Sequence, residues 1–182
     1  MRVFVAIGLP DFVRAELERL QNSLAVARFV PEENLHLTLR FLGEQPEKAV
    51  EEAHAALSDI HAPAFDLQLA GVGSFGKRSP QVIYANVARC QQLLDLEKRI
   101  TRSLRHADLD FQKRRFRPHV TIARLPKMIS GFEQARVHDK LADLSAFRGS
   151  HFEVNCFQLY QSILTPKGAL YETLARYELL NP

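Results

Sequence analysis

His36-Leu37-Thr38-Leu39 and, further along the chain, His119-Val120-Thr121-Ile122 share one form: His, apolar, Thr, apolar. In an extended strand alternate side chains point to opposite faces, so each segment sets its His and Thr on one face and its two aliphatics on the other. One face is left free for chemistry while the other is buried. Two copies of so specific a pattern, in a chain with seven histidines in all, point to a shared role.

Ahead of the first of these segments, Pro31-Glu32-Glu33-Asn34 reads as a turn, followed by a strand from 35 to 42 that Gly43 ends. Before it, Arg2-Val3-Phe4-Val5-Ala6-Ile7 reads as a buried strand, and Pro10 opens a helical pattern through Phe12, Val13, Leu17, Leu20 and Leu24. Residues 25–30 return as a short strand. Pro46 starts a second helix on Val50, Ala53, Leu57 and Ile60, ending before Pro63. Phe65 to Leu69 then alternates as a strand, and a turn-rich stretch covers 71–80. Residues 82–87 form a strand, and Leu93, Leu94, Leu96, Ile100 and Leu104 mark the longest helix. After the second His-Thr segment come a weak helix over 132–144, a strand over 152–160, a type I turn at Thr165-Pro166-Lys167-Gly168, and a last strand over 170–180. Interleaved helices and long alternating strands predict an α+β fold with antiparallel or mixed sheets, not a doubly wound parallel one. The repeat is confined to the motifs, so it predicts pseudo-symmetric halves and no tandem array.

Bulk composition narrows the class. At 182 residues, 46% hydrophobic and 25% charged, the chain is an ordinary globular protein able to bury a real core. No run approaches the roughly 20 apolar residues that span a bilayer, and the start is too short and strand-like for a signal peptide, so a cytoplasmic location without membrane contact is expected. Cys90 and Cys156 lack a partner pattern and read as free buried thiols. A net charge of +3 tolerates a polyanionic partner without demanding one. Gly71-Val72-Gly73-Ser74-Phe75-Gly76 runs into a strand and not a helix, so it is no phosphate loop, and nucleotide-triphosphate chemistry is disfavoured.

Histidine gives or takes a proton near neutral pH. If the two strands lie side by side and expose the same face, one imidazole can take a proton from an attacking water while the other supplies one to a leaving oxygen. Thr38 and Thr121 are suitable donors to phosphoryl oxygens, and a cation can offset the developing charge. Arg124 is the nearest candidate and Arg40 the other; Arg124 faces away from His119 in an ideal strand and needs a bulge or twist to join it. His54, His61, His106, His138 and His151 have no companion pattern and are assigned to surface or structure. Zinc is disfavoured because no third or fourth ligand accompanies the histidines, and no Ser or Cys nucleophile pattern is present. Lys113-Arg114-Arg115-Phe116-Arg117-Pro118, just before the second motif, suits phosphate contact and base stacking, with Lys77 and Arg78 extending the basic rim.

With these residues in view, the sequence resembles the two-histidine (2H) phosphoesterase superfamily, in its RNA 2′,3′-cyclic phosphodiesterase branch, also called 2′-5′ RNA ligases. The resemblance rests on the opening Arg2–Ile7 run, on Asn34 to Gly43, on Arg117 to Arg124, and on Leu159 to Leu164 with Pro166 to Glu172. It implies a single bilobal unit over residues 1–182, two pseudo-symmetric antiparallel sheets backed by helices, and a central cleft holding both motifs. It implies His36 and His119 as catalytic and Thr38, Thr121 and Arg124 as substrate-binding. It further implies an RNA or nucleotide ending in a 2′,3′-cyclic phosphate, opened to a 2′-phosphate without metal or cofactor by a monomer. By that likeness His119 is the base toward water and His36 the acid toward the 3′ oxygen, the swapped assignment staying open. Reversible 2′-5′ ligation is a second enzymatic reading, and a non-catalytic RNA-end-binding module is the alternative from another class.

Overall fold

Along the chain the elements are β1 (Arg2–Gly8), α1 (Asp11–Asn22), β2 (Arg28–Phe29), β3 (His36–Glu44), α2 (Glu47–Ser58), β4 (Phe65–Phe75), β5 (Val82–Val87), α3 (Gln91–His106), β6 (His119–Arg124), α4 (Gly131–Asp143), β7 (Arg148–Val154), β8 (Cys156–Thr165) and β9 (Gly168–Glu178). This is a computed structural model, and it describes residues 1–24, 28–76, 79–166 and 168–180. Val3 to Ile7 are buried at every position, as a strand covered on both faces must be, and β1 accordingly lies inside the sheet between β3 and β8.

Among the described residues the strands join in the order β7-β4-β5-β6-β3-β1-β8-β9, with β2 added to β6 and every named pair antiparallel. The order is symmetric about its centre, where the two motif strands β6 and β3 meet. The α+β class holds, and the two expected sheets are joined edge to edge through one residue pair, Leu37 with Val120. Meeting there spares each motif strand an unpaired edge.

Helices cover the face away from the motif histidines and cross between the halves. α1 follows β1 of one half but packs on β6 and β7 of the other, through Val13, Leu17 and Leu20. α3 follows β5 yet packs on α2 and β3, through Leu93, Leu96, Ile100 and Leu104. Buried Gln21 on α1 donates from Nε2 to the carbonyls of Val30 and Ile122, fixing that helix to the second motif strand. No helix of the described residues is long and apolar enough to cross a membrane.

Three expectations need correction. The stretch from Gly71, expected as turns, continues β4 to Phe75: Gly71 takes φ +78° at a register slip between Leu69 and Val72, so the strand bends and goes on pairing with β5. The strand expected over 152–160 is two strands broken at Asn155, where the chain leaves β4 in one half for β1 and β9 in the other. The thiols of Cys90 and Cys156 are free but half-buried, not buried. Of the short strand expected over 25–30, residues 28 and 29 form it, while 25–27 lie outside the described residues; so do Lys167 of the expected turn and both Lys77 and Arg78.

Candidate active site

Leu37 and Val120 are fully buried partners across the β3–β6 seam. Continuing that antiparallel register sets His36 across from Thr121 and Thr38 across from His119, all four on the face opposite the buried aliphatics. The two histidines are then diagonal neighbours across the seam, a relation that in antiparallel sheets spaces residues about 7–8 Å apart, somewhat less at Cβ.

Both strands carry a bulge at the same place, just after the threonine. In β3, Ala6 pairs with Thr38 and Val5 with Arg40, leaving Leu39 over; in β6, Tyr84 pairs with Thr121 and Ile83 with Ala123, leaving Ile122 over. Each extra residue reverses the facing of everything after it. Ala123 is therefore buried beside Ile122, and Arg124 returns to the histidine face, as the alternation alone forbade. In β3 the same slip buries Arg40 and brings out Phe41. The structure thus separates the two candidate cations. Arg124 is near enough for its charge to act on His36, whereas Arg40 pairs with Glu97 on α3, donates to the Arg114 carbonyl at 3.2 Å and leaves the site.

Each imidazole is anchored alike. His36 Nδ1 donates to the Asn34 carbonyl at 2.8 Å and His119 Nδ1 to the Arg117 carbonyl at 2.6 Å. A carbonyl only accepts, so Nδ1 carries the proton and the neutral ring presents a bare Nε2. In His36 that Nε2 accepts from the Thr38 hydroxyl at 2.9 Å. Burial pushes the His36 pKa down to about 4; the Asn34 carbonyl opposes this, and positive charge on His119 and Arg124 adds to it. Burial also lowers His119, against the pull of the Arg117 carbonyl. Both rings are neutral proton acceptors at rest.

Aromatic side chains hold the rings in place, and sequence reading gave them no site role. Phe4 lies 4.9 Å from His36, with Tyr171 edge-on at 5.2 Å; Phe75 and Tyr84 meet His119 edge-on at 4.9 and 5.2 Å. The alternation Tyr84-Ala85-Asn86 showed a polar face, but only the pairing of Asn86 with His119 reveals that it is the motif face. The basic stretch ahead of His119 is tied down: Arg40 holds the Arg114 carbonyl, Gln45 Nε2 donates to the Asp110 carbonyl at 2.8 Å, and Phe116 packs on the core. His54 bonds Tyr177 and His61 the Asp59 carbonyl, both away from the site, and His106, His138 and His151 are exposed. Among the described residues no three His, Cys, Asp or Glu side chains gather as a cation site needs.

The chain is similar to known proteins over most of its length. The sequence model of the family described as the 2′-5′ RNA ligase superfamily matches residues 9–163. An Archaeoglobus fulgidus protein named RNA 2′,3′-cyclic phosphodiesterase is 32% identical, covering 98% of this chain and 100% of its own. A Thermotoga maritima protein of the same name is 32% identical over 96% of this chain and 93% of its own. The solved structure of TT0787 from Thermus thermophilus superposes with a TM-score of 0.81 at 28% identity, covering 100% of this chain and 99% of the other.

Proposed function

The chain belongs to the 2′-5′ RNA ligase superfamily, and we propose on that ground that it is a hydrolase opening RNA 2′,3′-cyclic phosphates to 2′-phosphates by paired-histidine catalysis without metal. The observation that carries the reading is the matched anchoring of two imidazoles, each with Nδ1 donating to a carbonyl and Nε2 left without a proton, on one face of adjoining strands. One Nε2 takes a proton from water as its oxygen attacks phosphorus. The P–O3′ bond breaks, and the other imidazole, protonated once an anionic phosphate lies beside it, delivers its proton to the 3′ oxygen. Thr38, Thr121 and Arg124 hold the non-bridging oxygens while charge builds on them. Two free thiols suit a reducing compartment, so the reading places the enzyme in the cytoplasm, acting on RNA or nucleotides with cyclic phosphate ends.

The test is turnover of the four 2′,3′-cyclic mononucleotides with a chelator present. We expect hydrolysis to the 2′-phosphate, and a loss of about 10²–10⁴-fold in kcat for His36→Ala and for His119→Ala. Full activity in either variant rules the mechanism out. The family's description favours a second reaction at the same centre, in which a ribose 5′-hydroxyl replaces water and the ends join through a 2′-5′ bond. Cleaved tRNA halves incubated with the protein and yielding no 2′-5′ product remove that reading.

A further inference from the structure

Each motif histidine takes its tautomer from a main-chain carbonyl two residues upstream, and the two carbonyls are held in place by different means. Asn34, the anchor of His36, closes a short 3₁₀ turn, Glu32–Asn34, in which the Asn34 amide donates to the Pro31 carbonyl at 2.9 Å and the Leu35 amide to the Glu32 carbonyl at 3.1 Å. Its side-chain Nδ2 also donates to the Ala169 carbonyl at 2.8 Å, which pins the turn to β9. The anchor of His36 is thus fixed within its own half of the sheet.

Arg117, the anchor of His119, has no such turn. It lies near the end of a stretch, 109–118, that is neither helix nor strand. Pro118 behind it has no N–H to donate and disfavours a helical turn at Arg117. The stretch is held from the other half instead. Gln45, buried just past the end of β3, donates from Nε2 to the Asp110 carbonyl, and Arg40, buried within β3, donates from Nη1 to the Arg114 carbonyl, three residues before the anchor. The Arg40 guanidinium also lies 5.8 Å from the centre of the Phe111 ring.

Arg40 is itself aimed. Its Nη2 pairs with Glu97 on α3, and the same carboxylate accepts from the Thr101 hydroxyl at 2.7 Å, so the planar fork is fixed with Nη1 toward Arg114. Its Nε is buried without a hydrogen-bond partner among the described residues. A buried ion pair with an unanswered donor is a poor device for stability alone, since well-packed apolar side chains serve there as well or better. It is a good device for holding one carbonyl in one direction.

We propose that Arg40 is a positioning residue for His119: from the first motif strand, and backed by Glu97, it fixes the stretch that carries the Arg117 carbonyl, and through that carbonyl it keeps the His119 proton on Nδ1. The first motif strand thereby sets the tautomer of the second motif's histidine, whereas His36 is set by its own turn. The kinetic consequence rests on the hydrolytic reading above; the tautomer is read without turnover.

The experiment is NMR of the imidazole nitrogens in the ligand-free protein at pH 7.5, where both rings are neutral, with signals assigned by replacing each histidine in turn. Arg40→Met with Glu97→Leu removes both charges and keeps the site filled. We expect His119 in that variant to become a mixture of Nδ1–H and Nε2–H forms while His36 stays Nδ1–H, and kcat to fall about 10- to 100-fold with KM little changed. Arg40→Lys, which keeps a charge opposite Glu97 but gives up the second prong of the fork, shows the same change at His119 alone. A His119 that keeps its single Nδ1–H form in either variant, a change shared equally by His36, or an unaltered kcat beside a mixed His119 tautomer overturns the inference. Absence of turnover in the unaltered protein overturns the hydrolytic reading, and the two tautomers then still decide this one.

Discussion

At the scale of the residue, the proposed chemistry turns on two imidazoles that the fold keeps neutral. A general acid and a general base coexist only between their two pKa values, and burial lowers both, His36 to about 4. The kcat/KM of the free enzyme should therefore peak below pH 6.5, and the kcat optimum should lie higher, because a bound phosphate anion favours the protonated imidazole. A pH profile in which the kcat/KM optimum lies above that of kcat contradicts this. The same shift affects stability with a definite sign. Between about pH 4 and 6.5 the unfolded chain binds a proton at His36 that the folded chain does not, so stability falls as pH falls through that window and levels off above it. Thermal midpoints at pH 5 and 7.5 measure the difference, which shrinks in His36→Phe. Arg124→Ala, which removes an arginine whose charge acts on His36, should lower kcat by about 10²-fold with little change in the thermal midpoint, since the side chain is exposed.

At the scale of the element, the matched bulges decide what each strand presents. Alternation in His36-Leu37-Thr38-Leu39 was readable because a strand's period of two is local. The facing of residues beyond each threonine was not, because a bulge exists only relative to a partner strand. Arg40 and Arg124 were thus rival cations in sequence, and an extra residue in each strand sent one inward and the other out. Buried Arg40 now links β3 to α3 through Glu97 and steadies the basic stretch through Arg114. Removing one partner of a buried pair strands the other charge, so Arg40→Ala should cost about 3–5 kcal/mol in denaturant unfolding, and Arg40→Met with Glu97→Leu should recover most of it. A double variant as unstable as the single one would show that the pair's charges are not what matters there.

At the scale of the whole molecule, the candidate site lies where the two half-sheets join through a single residue pair. Leu37 is fully buried beneath the histidine face, and Leu37→Ala should cost about 2–5 kcal/mol. Because the diagonal of the two imidazoles hangs on that seam, its kcat should fall in the fraction that remains folded; wild-type kcat in that variant would show that the histidines are aligned by other means. The order of residues was enough to set the α+β class, most element positions, the paired His-Thr strands and the family likeness, since these are written in short-range periodicity and residue type. Packing in three dimensions was needed for the fusion of the two sheets, the crossing of α1 and α3 between halves, the break at Asn155, the return of Arg124 to the histidine face, and the stacking of Phe75 on Tyr84 beside Gly73. Each of these depends on which distant strand or helix lies alongside, and pairing energies between distant segments leave no local trace along the chain.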